Sequence, residues 1–82
     1  MSEQAGDVRL LVERIAKMLV DAPDQVSVNQ IEAETTVLEL TVAPNDVGKV
    51  IGRSGRVARA LRSLVNAAGI RAQRRFAVEI LE

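Results

Sequence analysis

Two glycines three positions apart, Gly52 and Gly55, bracket Arg53 and Ser54 and are followed at once by Arg56, with Lys49 one helical turn upstream. Residue types in this pattern suit the holding of an anion better than the making of bonds. A glycine has no Cβ, so it can take positive φ and let another molecule come within hydrogen-bonding distance of the backbone. Apolar residues fall at helical spacing on both sides, Val47, Val50 and Ile51 before the tetrad and Val57, Leu61, Leu64, Val65 and Ala68 after it, which predicts a loop between two helices. The N–H groups that open the second helix lack intrahelical partners and carry the positive end of its dipole, so they suit a phosphate. Arg53, Arg56 and Lys49 add mobile positive charge.

Bond-making chemistry finds little support. The chain has no His and no Cys, which removes the commonest general base, disulfides and the usual zinc ligands. Ser54 lies between glycines, but position 56 is Arg where a nucleophile elbow needs Gly, and no His is present to activate the hydroxyl. The G-x-x-x-x-G-K-[ST] spacing of a nucleotide phosphate loop is missing too. The sequence therefore predicts a protein that is not an enzyme and that uses no cofactor and no metal.

A net charge of zero conceals a division of the chain. Residues 1–48 carry three Lys/Arg against nine Asp/Glu, and residues 49–82 carry eight against two. Between Lys49 and Arg75 there is no acid at all, and this basic run begins at the glycine tetrad. A polyanionic partner is implied. Basic helices also occur as plain solvated faces; the adjoining glycine loop tips the reading towards nucleic acid.

The elements that must position the loop follow from periodicity. Eighty-two residues make one small domain, close to the size at which self-association becomes an advantage. Residues 1–7 show no apolar period and read as a flexible start, with Asp7 as a helix cap or first-turn acid, and 8–82 as a single domain. Val8, Leu11, Val12, Ile15 and Leu19 form one helical stripe that ends at Asp21-Ala22-Pro23. Leu10 and Met18 lie off it and are assigned to a widened buried face, a partner surface being the other use. Gln25 to Ala33 reads as a strand whose phase shifts near Asn29-Gln30, as at a bulge. Thr36, Leu38, Leu40 and Val42 alternate cleanly with Val37, Glu39 and Thr41 in a second strand, after a turn near Glu32 to Thr35. Pro44 ends this strand, with Asn45 or Asp46 capping a short helix in which Gly48 serves close packing. The helix after the loop presents Arg56, Arg59, Arg62, Ser63 and Asn66 outward and closes at Gly69; Phe76, Val78 and Ile80 then point inward from a third strand. The order is α-β-β-α-α-β, a two-layer α+β domain with a three-stranded sheet and its helices packed on one face.

This order and loop resemble a type II KH domain. Val42-Ala43-Pro44-Asn45-Asp46-Val47-Gly48-Lys49-Val50-Ile51-Gly52-Arg53-Ser54-Gly55-Arg56 is similar, more narrowly, to the small stand-alone bacterial KH RNA-binding proteins of the KhpA family. The resemblance implies that about four single-stranded nucleotides are held, with the RNA backbone on Gly52, Arg53, Ser54 and Gly55 and the bases in an aliphatic groove. Val50 and Ile51 would floor that groove, a place in the ordinary core being equally compatible. Arg56 and Lys49 would touch phosphates, and Arg59 would extend their path. The lone aromatic, Phe76, cannot build stacking platforms, which a KH groove can do without. Also implied are a homodimer, a heterodimer with a larger KhpB-type RNA-binding protein, and an RNA-chaperone role linked to cell shape and cell-wall homeostasis. The opening residues lack a signal-peptide pattern and no run approaches the roughly 20 apolar residues that span a bilayer. A cytoplasmic protein without membrane contact is expected. The competing expectation is a protein–protein dimerisation module whose interface is the loop and the basic helix.

Overall fold

A computed structural model describes the backbone from Ser2 to Glu82 and the side chains from Gly6 onward. The elements are α1 (Ser2–Leu19), β1 (Ser27–Ile31), β2 (Thr35–Thr41), α2 (Val47–Ile51), α3 (Arg56–Ala72) and β3 (Arg75–Ile80). The flexible start expected over residues 1–7 includes Met1, which lies outside the described residues; from Ser2 the backbone is helical.

β2 is the middle strand. It pairs antiparallel with β1, from Ser27 opposite Thr41 to Ile31 opposite Val37, and parallel with β3, from Thr35 beside Arg75 to Leu40 beside Ile80. Side chains alternate across a strand, so Val28, Thr36, Leu38, Leu40, Phe76 and Val78 all turn to one face and are buried there. α1 covers the β1 side of that face and α3 the β3 side, making the two-layer α+β architecture expected. The β1–β2 ladder is continuous, so there is no bulge at Asn29-Gln30. The apparent shift of phase arises because Ile31 sits on the outer, exposed face opposite Val37.

The helices meet the sheet through their smaller residues. Along α1 the buried row is Val8, Val12 and Ala16, with Ile15 beside it. The stripe is therefore rotated from the expected one: Leu11 and Leu19 ride at its exposed rim, Leu10 is exposed, and Met18, assigned to the core, is 78 % exposed. Short side chains let the helix axis approach the strands, and the longer ones are left on the flanks. Glu13 braces the solvent side by pairing with Arg9 at 2.9 Å and Lys17 at 3.0 Å, both one turn away. On α3 the buried row is Ala58, Leu61, Val65 and Gly69, while Leu64, expected inside, is 51 % exposed.

Two glycines depart from their expected parts. Gly69 does not end α3, which runs on to Ala72. Its missing Cβ would stand 2.6 Å from the Arg74 carbonyl oxygen and 3.1 Å from the Phe76 ring, so it is the contact point at which the chain folds back into β3. The helix ends instead at Gln73, in the left-handed region at φ 57°, where the Gln73 N–H donates to the Ile70 carbonyl and the Arg74 N–H to the Gly69 carbonyl. Gly48 does no close packing: nothing lies within 4 Å of the position its Cβ would occupy.

Opposite outcomes are predicted for one chemical change at these sites. Gly69→Ala gains helix propensity but must displace a backbone carbonyl, and should lose about 1–3 kcal/mol. Gly48→Ala, on an exposed helical position with open space, should gain about 0.5–1 kcal/mol. Urea unfolding of the two variants checks both signs, and a stabilised Gly69→Ala would contradict the packing described.

Candidate nucleic-acid interface

The loop is shaped by backbone geometry that its sequence makes possible. α2 stops where the Gly52 N–H donates to the Gly48 carbonyl at 2.9 Å, and Gly52 then takes φ 79° and ψ 168°. Its absent Cβ would collide with Val57 Cγ2 and lie 2.8 Å from the Val57 nitrogen, so both the dihedral angle and the space exclude a side chain. A turn follows, closed by the Gly55 N–H donating to the Gly52 carbonyl at 3.0 Å. Ser54 within it has φ 56°, uncommon for a residue with a Cβ, and Gly55 has φ 74°. Arg53 and Ser54 stand exposed at the tip and α3 begins immediately behind them.

Positive charge converges there. Arg53, Arg56 and Arg59 are exposed, and none of them pairs with an acid among the described residues. Arg59 reaches back over the loop, its Nη1 3.8 Å from where a Gly55 Cβ would be. Arg62, one turn further on, donates from Nε to the Val78 carbonyl of β3 at 3.4 Å. It opens a cavity of about 220 Å³ between α3 and β3, walled by Val65, Phe76, Ala77 and Val78 with Asn66 beside it. Sequence periodicity had put Arg62 and Asn66 merely on an outward face; that this face borders a groove depends on where β3 returns. A hollow of about 590 Å³ lies at the far end of α3 around Gln73, Arg74 and Arg75, remote from the glycine loop.

The apolar pair before the loop divides. Val50 is wholly buried in the core cluster, whereas Ile51 is only partly buried at the loop's edge. Lys49 turns away from the tip: its Nζ lies 3.3 Å from Asp21 Oδ2 and 3.3 Å from Asp46 Oδ1.

Asp46 itself does not cap α2 with its side chain. It is only 2 % exposed, and its two oxygens accept the Asp21 N–H at 3.3 Å and the Ala22 N–H at 3.1 Å. Asp46 thereby fastens the start of the loop-bearing helix to the junction between α1 and β1. Burial alone would push its carboxyl up, but the two N–H donors and Lys49 outweigh that and hold it below the ordinary aspartate range. Nothing in the sequence signals this contact, because the partners are far apart along the chain.

Sheet order, helix order and the glycine loop define a type II KH domain. The sequence model of the family described as KhpA/KhpB, KH domain, matches residues 9–80. The chain belongs to this family. It is 48 % identical to the RNA-binding protein KhpA of Clostridium acetobutylicum over 90 % of this chain and all of that protein. It is 53 % identical to the protein of the same name from Caldanaerobacter subterraneus, over 87 % of this chain and 96 % of that one. A third, from Borreliella burgdorferi, is 48 % identical over the full length of both. These relatives are named for RNA binding and not for any catalysed reaction. Among solved structures, an Aquifex aeolicus Era variant bound to GDP.AlF4- superposes with a TM-score of 0.62 at 19 % identity, over 89 % of this chain and 29 % of that one, a likeness of fold. No helix among the described residues is long and apolar enough to cross a membrane.

The Asp46 anchor gives a pH signature. A carboxyl with a depressed folded-state pKa contributes stability that is complete above its unfolded value, near 3.8, and is lost as pH falls through the lower folded value. Asp46→Asn should therefore melt below the parent at neutral pH, and the gap should close as pH is lowered through and beneath the aspartate range. A gap of constant size from pH 7 to pH 2 would show that the carboxylate's charge is not what holds the junction.

Proposed function

We propose that this chain binds short single-stranded RNA, with the sugar–phosphate backbone on Gly52, Arg53, Ser54 and Gly55 and the bases directed along α3. The observation that carries the reading is the exposed, acid-free cluster of Arg53, Arg56 and Arg59 around a turn that no side chain at position 52 could form. Arg56 and Arg59 continue the phosphate path, and Arg62 and Asn66 border the apolar groove in which bases lie. Ile51 meets the strand at the edge of the loop and Val50 supports the loop from beneath, while Lys49, one turn upstream, is paired with Asp21 and Asp46 and reaches a phosphate only when it leaves them. The names of the relatives support RNA as the ligand.

Self-association as a homodimer belongs to the same proposal. Between α1 and α3 runs a second groove, about 280 Å³, lined by Ile15, Leu19, Val57, Ala60, Leu61 and Leu64, with Arg56 at one end. Nucleobases need polar groups for their edges, and this groove offers little beyond hydrocarbon, which suits a protein surface better. A family description that joins KhpA with KhpB supports a larger KhpB-type protein as an alternative partner. With such a partner the chain serves as a cytoplasmic RNA chaperone in post-transcriptional control of cell shape and cell-wall homeostasis, a role that rests on the family resemblance. The rival module, with loop and basic helix as its protein interface, would leave three exposed arginines without their anion.

Replacing Arg53 and Ser54 together by Asp tests the RNA reading. The tip is exposed and Asp tolerates the left-handed region, so the thermal melt should move by about 0.5 kcal/mol or less. Two anions in place of one cation should abolish measurable binding of an unstructured oligoribonucleotide. In the parent, log K against log salt should slope by about −2 to −3, as for three to four neutralised phosphates on a single strand. Parent-like binding by the double variant, or a flat salt response, would transfer the loop to the rival module. For the dimer, sedimentation at micromolar concentration should show a species of twice the chain mass that Leu64→Glu reduces to monomer, and a parent that is monomeric throughout would refute it.

A further inference from the structure

We propose that Asp21 is a positioning residue that restrains Lys49, keeping its ammonium off the RNA phosphates and setting the affinity of the loop below what its cations would otherwise give. The inference rests on the RNA reading above and concerns a residue outside the loop.

The two acids that hold Lys49 are not equivalent. Asp46 is buried and already satisfied by the Asp21 and Ala22 N–H groups, so it has partners apart from the lysine. The Asp21 carboxylate is 84 % exposed and has Lys49 as its one partner among the described residues, at 3.3 Å. Asp21 thus contributes through its side chain nothing to the fold beyond this contact, while its backbone N–H does the structural work at Asp46. Two carboxylates facing one ammonium leave a local excess of negative charge beside the helix that leads into the phosphate loop. Between Lys49 and Gly52 the helix advances only about 4.5 Å. A lysine has a flexible four-carbon stem, and its ammonium can swing from the N-terminal to the C-terminal side of its own turn. In the present arrangement it points to the N-terminal side, and the contacts with Asp21 and Asp46 both raise its proton affinity, the Asp21 contact more strongly.

A phosphate on the loop therefore has to compete with Asp21 for Lys49. An exposed ion pair biases such an equilibrium by up to about fivefold. Asp24, also exposed and in the same connection, pairs with no cation among the described residues and serves as the control for charge alone.

The experiment is fluorescence anisotropy of a labelled, unstructured oligoribonucleotide titrated with the full chain across a salt series, for the parent, Asp21→Asn, Asp24→Asn, Lys49→Met, and Asp21→Asn combined with Lys49→Met. Asp21→Asn should tighten binding about two- to fivefold and steepen the salt slope by about 0.7, the increment for one more phosphate. Asp24→Asn should change affinity less than Asp21→Asn and leave the slope alone. The combined variant should bind no tighter than Lys49→Met. A parent-like Asp21→Asn, a gain equalled by Asp24→Asn, or a gain that survives Lys49→Met would each overturn the inference. If the parent itself does not bind, or the Arg53/Ser54 double variant binds as the parent does, the RNA reading falls and takes this inference with it. Parent binding that is lost in the double variant but unaltered in Asp21→Asn would defeat the inference alone.

Discussion

The approach of Val57 to Gly52 is the constraint on which the interface depends. With the Val57 nitrogen 2.8 Å from where a Cβ would be, the chain can leave α2 and enter α3 only because position 52 has no side chain. This single contact makes the turn tight, sets the first turn of α3 directly behind the two tip residues and exposes both of them. Three of the charged groups assigned to the ligand take their places from there: Arg53 on the tip, Arg56 at the helix start, Arg59 folded back over Gly55. A bulkier residue would separate the helices and spread the same arginines over a larger surface.

The second support comes from the opposite end of α2. A helix of five residues cannot hold its own orientation. Val50 ties it into the core from one side and Asp46 ties it to the Asp21-Ala22 junction from another. Polar and apolar anchoring thus share the task, and the loop inherits its position from both.

What could be read from the sequence was whatever repeats or recurs locally. Alternation in Thr36-Leu38-Leu40 and Phe76-Val78, the glycine spacing and the acid-free basic run each carry their information within a few neighbours, and the fold and family followed from them. The errors concern distance along the chain. Met18 looked like core because periodicity tells which residues share a face but not how closely that face meets a sheet. Gly69 looked like a helix end because its true constraint is a carbonyl that returns later. Asp46 looked like a cap because its partners lie 25 and 24 residues earlier in the chain. Ile31 simulated a bulge by being apolar on a face that has no cover. In each case the missing fact was a tertiary neighbour.

One consequence of the strand order concerns how the domain assembles. The antiparallel β1–β2 pair is closed by the short segment 32–34, a local event, whereas the parallel β2–β3 pair closes only after the chain has travelled through α2, the loop and α3. Loop-closure entropy makes the first contact easy and the second slow. The whole candidate interface lies within the slow one. A molecule that has formed α1 and the hairpin but not docked β3 lacks the groove between α3 and β3, and its α3 has no strand to pack against. RNA held by this chain would therefore act as a clasp on the last part of the domain to close, and occupancy of the loop would shield the complete fold, not merely the loop, from opening.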